Sequence, residues 1–138
     1  MMRLIAFSLI LAFILSACKK ESGGEITNNG VNELLGRYAG TFIRTGMDTA
    51  TVDIYFRDDL HFEGSSDTPN YPAICSGTFT RNGNTLIVND TCSWTANFDW
   101  TLIFDGNYSI TLGENNTARI WRTTGDVTDE YRLTRYTR

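Results

Sequence analysis

Few residues in this 138-residue chain offer chemistry beyond packing: three cysteines, one histidine and sixteen acids. Cys18 stands where an apolar leader gives way to the polar run Lys19-Lys20-Glu21-Ser22-Gly23-Gly24. Cys75 and Cys92 lie far downstream of it, and His61 follows Asp58 and Asp59 closely. His61 with those two carboxylates has ligand types for a metal, but such a trio in a turn more often serves as solvated turn chemistry. Zinc would want more His or Cys than the chain has left. No Gly-x-Ser-x-Gly elbow is present, and a lone histidine would have to serve any triad unaided. Sixteen acids could pair in many ways, so spacing selects no glycosidase pair. Gly23-Gly24 is not a phosphate-cradling loop. The chain is therefore expected to be no enzyme, with no metal and no cofactor.

Arg3 and the apolar run 4–15 form a basic start followed by about twelve apolar residues, short of the roughly 20 that cross a bilayer. That pattern reads as a secretory signal peptide over residues 1–17. Leu15-Ser16-Ala17-Cys18 resembles the lipobox of bacterial lipoproteins: Leu, a small residue, Ala or Gly, then Cys. The resemblance implies diacylglycerol on the Cys18 sulfur, cleavage before Cys18 and acylation of the new amine, with palmitate-type chains holding the protein to a membrane. One chain binds marginally and three bind stably, since each buried CH₂ contributes roughly 0.8 kcal/mol. Lys19 is not the Asp that marks inner-membrane retention, which points to the outer membrane, on its periplasmic face or at the cell surface. Lys20-Glu21 faintly resembles the surface-export signal of Bacteroides-group lipoproteins.

With Cys18 lipidated, Cys75 and Cys92 remain, and an even pair in an exported, oxidising setting argues for a disulfide; two free buried thiols are the alternative. Register supplies a geometric check. A two-residue turn at Asn82-Gly83 pairs Arg81 with Asn84, whereas a four-residue loop pairs Arg81 with Leu86. Both put the cysteines on one face. The second sets them directly opposite, roughly 4.5–5.5 Å apart, within the reach of a disulfide.

Loss of the leader with its Arg3 takes the net charge from −4 to −5. An acidic chain is a poor match to a polyanion, so nucleic acid is not an expected partner. Arg119, Arg122, Arg132, Arg135 and Arg138 crowd the C-terminus, a distribution usual for a solvated strand face. Residues 18–31 read as a lipidated flexible tether, and residues 32–138 as one domain with one core. Asn32-Glu33-Leu34-Leu35-Gly36 reads as one helical turn.

From Arg37 the period becomes two, the strand period. Strands are expected through Tyr38 and Phe42, over Ala50-Val52-Ile54-Phe56, over 60–63, 73–81 and 85–89, through Phe98-Trp100-Leu102-Phe104, over 108–112, around Ala118-Ile120, and over 130–136. Residues 64–72 read as loop. About nine short strands joined by hairpin signals such as Asp105-Gly106 indicate an all-β, up-and-down antiparallel barrel.

Gly36-Arg37-Tyr38 at the first strand resembles the Gly-x-Trp signature of lipocalins, with Tyr for Trp, and Tyr131-Arg132-Leu133-Thr134-Arg135 resembles their arginine-bearing last strand. The domain is similar to the lipocalin-like (calycin) domains of Bacteroides-group lipoproteins. That likeness implies a barrel of about 8–10 strands, closed at one end by Tyr38 with Arg132 or Arg135 as a cation–π pair. Asp48-Thr49-Ala50 resembles the O-glycosylation acceptor of exported Bacteroides-type proteins, which makes Thr49 a candidate for modification.

Two functional readings follow. In one, the barrel takes a small apolar ligand among some of Phe42, Val52, Ile54, Phe62, Trp100, Leu102 and Ile110. In the other these residues fill the barrel, and loops such as 64–72 and the rim meet an envelope protein partner, as an inhibitor or complex subunit would.

Overall fold

The computed structural model describes residues 30–136 apart from Ala96. Cys18, the leader and the tether as far as residue 29 lie outside the described residues. Eight antiparallel strands close into one barrel in chain order, with β8 returning to β1. They are β1 (Gly36–Arg44), β2 (Thr49–Phe56), β3 (His61–Ser66), β4 (Ser76–Asn82), β5 (Thr85–Asp90), β6 (Gly106–Leu112), β7 (Thr117–Thr124) and β8 (Val127–Arg135). Closure leaves no sheet edge open to another chain. One helical turn, α1 (Val31–Leu34), precedes the barrel. It starts at Val31, the last residue of the expected tether, and Val31 and Leu34 are both buried.

Alternation within the strands sets the inside. Inward positions on β7, β8 and β1 meet in layers across the sheet. Ile120, Tyr131 and Phe42 make one layer, and Ala118, Leu133 and Gly40 the next. Position 40 in the second admits only glycine, because a Cβ there would lie 1.9 Å from the Arg132 carbonyl oxygen. Gly36 has φ +134°, a conformation open to glycine, and a Cβ there would lie 2.7 Å from Cδ of Arg135. The glycine of the Gly-x-aromatic start is thus explained by local geometry.

The β4–β5 hairpin takes the second of the two registers, with Arg81 opposite Leu86, and Asn82 opposite Thr85 around a Gly83-Asn84 turn. Cys75 and Cys92 are joined by a disulfide with Cα atoms 6.3 Å apart.

Two stretches depart from expectation. Residues 64–72 are loop only from Asp67 onward, since β3 continues to Ser66 and pairs with β2. Phe98-Trp100-Leu102-Phe104 is not a strand. Asp99 caps a 3-10 turn over Trp100–Leu102 by accepting from the Thr101 N–H. Ala73 then exchanges backbone hydrogen bonds with Leu102 and Phe104, in an isolated parallel bridge to Ile103. Leu102 and Phe104 still reach the core, but Trp100 is 59% exposed and lines no barrel interior. The capping aspartate overrode the alternation.

Candidate functional site

The two ends of the barrel are built differently. At one end the strands are joined by short turns (57–60, 83–84 and 113–116) and α1 lies across the mouth. At the other, the connections 67–75 and 91–105 are long. Irregular connections of such length are uncommon in compact domains and often carry function.

The α1 end is sealed by two arginines. Arg81 donates to the Gly30 and Gly83 carbonyls and to Glu33. Arg135 donates to the carbonyls of Glu33 and Leu35 and to Oδ1 of Asn116. The Glu33 and Leu35 carbonyls lie at the C-terminal end of α1, where a helix leaves its carbonyls without intrahelical partners. Tyr38 and Arg135 are direct cross-strand partners on the inward face. Arg132 is not part of the seal, because its position points outward, where it bonds Glu130 at 3.0 Å. The expected guanidinium–ring contact at Tyr38 is also replaced, since the Arg135 N–H groups are drawn to carbonyls. Among the described residues such contacts join Arg37 to Tyr55, Arg119 to Trp121 and Arg122 to Tyr108, at 4.4–4.9 Å.

Charge replaces apolar packing at the open end. In the last inward layer Arg44, Asp129 and Arg122 stand opposite one another on β1, β8 and β7. Asp129 accepts from Arg44 Nε at 2.6 Å and Nη2 at 2.9 Å, and from Arg122 Nε at 3.1 Å. Arg44 and Asp129 are both almost fully buried, and a buried pair is tolerated only when its remaining hydrogen-bonding groups are met. Arg44 meets them through Oδ2 of Asp99 and both oxygens of Thr101. Arg122 reaches the carbonyls of Thr101, Ile103 and Asp105. The arginines thereby hold 99–105 against the barrel mouth. The Asp129 hydrogen bond, ahead of the opposing effect of burial, holds the Arg44 guanidinium above its ordinary pKa. Below this layer, burial raises the phenols of Tyr108 and Tyr131 well above the usual range.

Segment 91–105 forms the wall of a cleft of about 940 Å³ over this charged floor. It is fixed at its start by the Cys92 disulfide, and Trp94 donates its indole N–H to Asp90 at 2.9 Å. Trp94, Phe98 and Trp100 follow one another with ring centroids 5.7 and 6.3 Å apart. Met47 and Val127, both exposed, stand on the opposite rim.

Phe42, Val52, Ile54, Phe62, Leu102 and Ile110 are buried in the core. The rings along the axis are in contact: Phe42–Tyr131 at 4.8 Å, Tyr131–Phe104 at 4.9 Å and Phe104–Phe62 at 5.4 Å between centroids. Thr49 is exposed at the first position of β2. His61 is exposed with Nδ1 3.1 Å from the Asp59 carbonyl oxygen, and no group of three or more metal-ligating side chains occurs among the described residues.

Sequence reading missed Arg44, Arg122, Asp129, Asp99 and Trp94. A usable signal was present for the first three: each is a charged residue in the inward register of its strand, and they carry opposite signs. No family model, curated protein or solved structure matches this chain.

Proposed function

We propose that this chain is a lipid-anchored protein of the bacterial cell envelope, held through Cys18 in the outer membrane. Its lipocalin-like domain works as a protein-interaction module through the open end. The observation that carries the interaction reading is the continuous ring packing from Phe42 through Tyr131 and Phe104 to Phe62. An eight-stranded barrel is either filled by side chains or holds one small ligand, and here a small apolar ligand would have to displace these rings. The cleft walled by 91–105 is by contrast already concave and bears an exposed indole. The anchor reading is supported by Leu15-Ser16-Ala17-Cys18 and the apolar run before it.

Two experiments test these halves separately. Cells fed a clickable palmitate analogue should label the wild-type chain and not Cys18→Ala, and an unlabelled wild type would remove the anchor. Titration of the purified chain with a fluorescent fatty acid should give no saturable one-to-one uptake. Uptake that a Phe42→Trp change abolished would restore the apolar-ligand reading.

A further inference from the structure

The open-end cleft is lined by two arginines and four aspartates, and its arginines invite an anion at first sight. Their hydrogen bonds argue otherwise. A guanidinium has five N–H donors, and all five of Arg44 are occupied: Nε by Asp129, Nη1 by Asp99 and Thr101, Nη2 by Thr101 and Asp129. Arg122 has four of its five directed to Asp129 and to three backbone carbonyls. These arginines are structural, with little left to offer a ligand.

Acceptors are left over instead. Asp90 and Asp105 line the cleft, and among the described residues neither forms an ion pair. The Asp105 carboxylate accepts only the Asp90 N–H, whereas the Asp90 carboxylate accepts from the N–H groups of Cys92 and Trp94 through Oδ1, and its Oδ2 is buried without a hydrogen-bond partner. The formal balance of the lining is −2, from Arg44 and Arg122 against Asp90, Asp99, Asp105 and Asp129. Beside these carboxylates stand the indoles of Trp94 and Trp100, and an indole face attracts cations.

We infer that the cleft receives a lysine- or arginine-bearing segment of a protein partner. The cation would lie on the exposed Asp105 carboxylate before the Trp94–Trp100 wall, with the charge of the more buried Asp90 behind it and neighbouring apolar atoms against Met47 and Val127. A volume of about 940 Å³ exceeds what one amine fills, and the exposed apolar rim favours a peptide over a free amine. This inference rests on the interaction reading above and specifies the partner's chemistry.

The test uses the full lipidated chain in nonionic detergent and a short dye-labelled peptide of alternating lysine and serine, read by fluorescence anisotropy. Binding should saturate and be weakened roughly tenfold by Asp90→Asn with Asp105→Asn, the size of effect that loss of a charge pair produces. Trp100→Ala, which alters an exposed ring, should weaken it severalfold and guards against misfolding of the double variant. Asp58→Asn with Glu114→Gln removes the same charge at the sealed end and should leave binding unchanged. Equal loss in that control, equal binding of a glutamate–serine peptide, or competition by butylamine at the peptide's own concentration would each overturn the inference. So would a partner crosslinked through position 100 whose contacting segment carries no basic residue, an outcome that leaves the interaction reading standing.

Discussion

Both ends of this barrel are governed by a pair of arginines that donate to backbone carbonyls, yet one end is sealed and the other is concave. At the α1 end the carbonyls belong to a helical turn whose Val31 and Leu34 drop into the core, so gripping the turn closes the mouth. At the other end they belong to 99–105, which stands beside the mouth as a wall, and a buried aspartate rather than an apolar side chain fills the last layer. What the arginines hold decides the outcome. The same clamp makes a plug from a short apolar turn and a rim from a long segment whose Trp100 is left exposed.

Removing one member of each end should separate these roles. Asp129→Ala leaves Arg44 and Arg122 facing each other without the shared carboxylate, and breaking a buried pair costs about 3–5 kcal/mol. Chemical denaturation should show this as the largest loss, together with faster hydrogen exchange in 99–105. Cys75→Ser with Cys92→Ser should cost about 3 kcal/mol on chain-entropy grounds and leave the proposed membrane attachment through Cys18 unaffected, as calorimetry with membrane fractionation would show. At the sealed end, Leu34→Ala should cost about 2–3 kcal/mol, toward the lower part of the range for buried leucines, because α1 can settle into the space. Its exchange effects should be confined to α1 and its neighbours. If Leu34→Ala loosened 99–105 as much as Asp129→Ala does, the two ends would not be independent.

The smallest expected effect is on acid stability. Hydrogen bonds from the Thr101 hydroxyl and N–H, with Arg44 beyond them, hold the Asp99 carboxyl below its ordinary value, and Arg132 with Arg119 does the same for Glu130. Carboxyls depressed in the folded chain bind fewer protons there than in the unfolded one. Their stabilisation is therefore complete above the ordinary carboxylate range of about 4 and is lost as pH falls through the folded values. Melting temperature should decline below about pH 4, less steeply in Asp99→Asn.

The fold was largely legible in the sequence because period-two alternation and hairpin signals are local. Tyr38, Phe42, Val52, Ile54, Phe56 and Ile110 all fall on the inward face that alternation implies. Cys75 and Cys92 were legible because a hairpin register has few solutions. The site was legible only in fragments. Trp100 shares the alternation of Phe98 and Leu102, and its exposure is set by the Asp99 cap, an interaction that spacing does not encode. Arg132 and Arg135 differ by the parity of one strand, which becomes certain only once β8 is paired with β1.

The Arg44–Asp129 bond joins residues 85 positions apart, and this separation has a kinetic consequence. Pairing of β1 with β8 closes the barrel over almost the whole domain, and the entropy of closing so long a loop must be met before its contacts contribute. Until that closure Arg44 remains hydrated and gains nothing from its partner. Arg44 is fully bonded only when 99–105 has docked as well, so the ion pair is expected to form on the native side of the folding barrier. Losing Asp129 should steepen the rate of unfolding while leaving refolding nearly unchanged, a pattern read directly from the two limbs of a chevron plot. The charged layer at the open end acts as a lock on the finished barrel rather than a guide to its assembly.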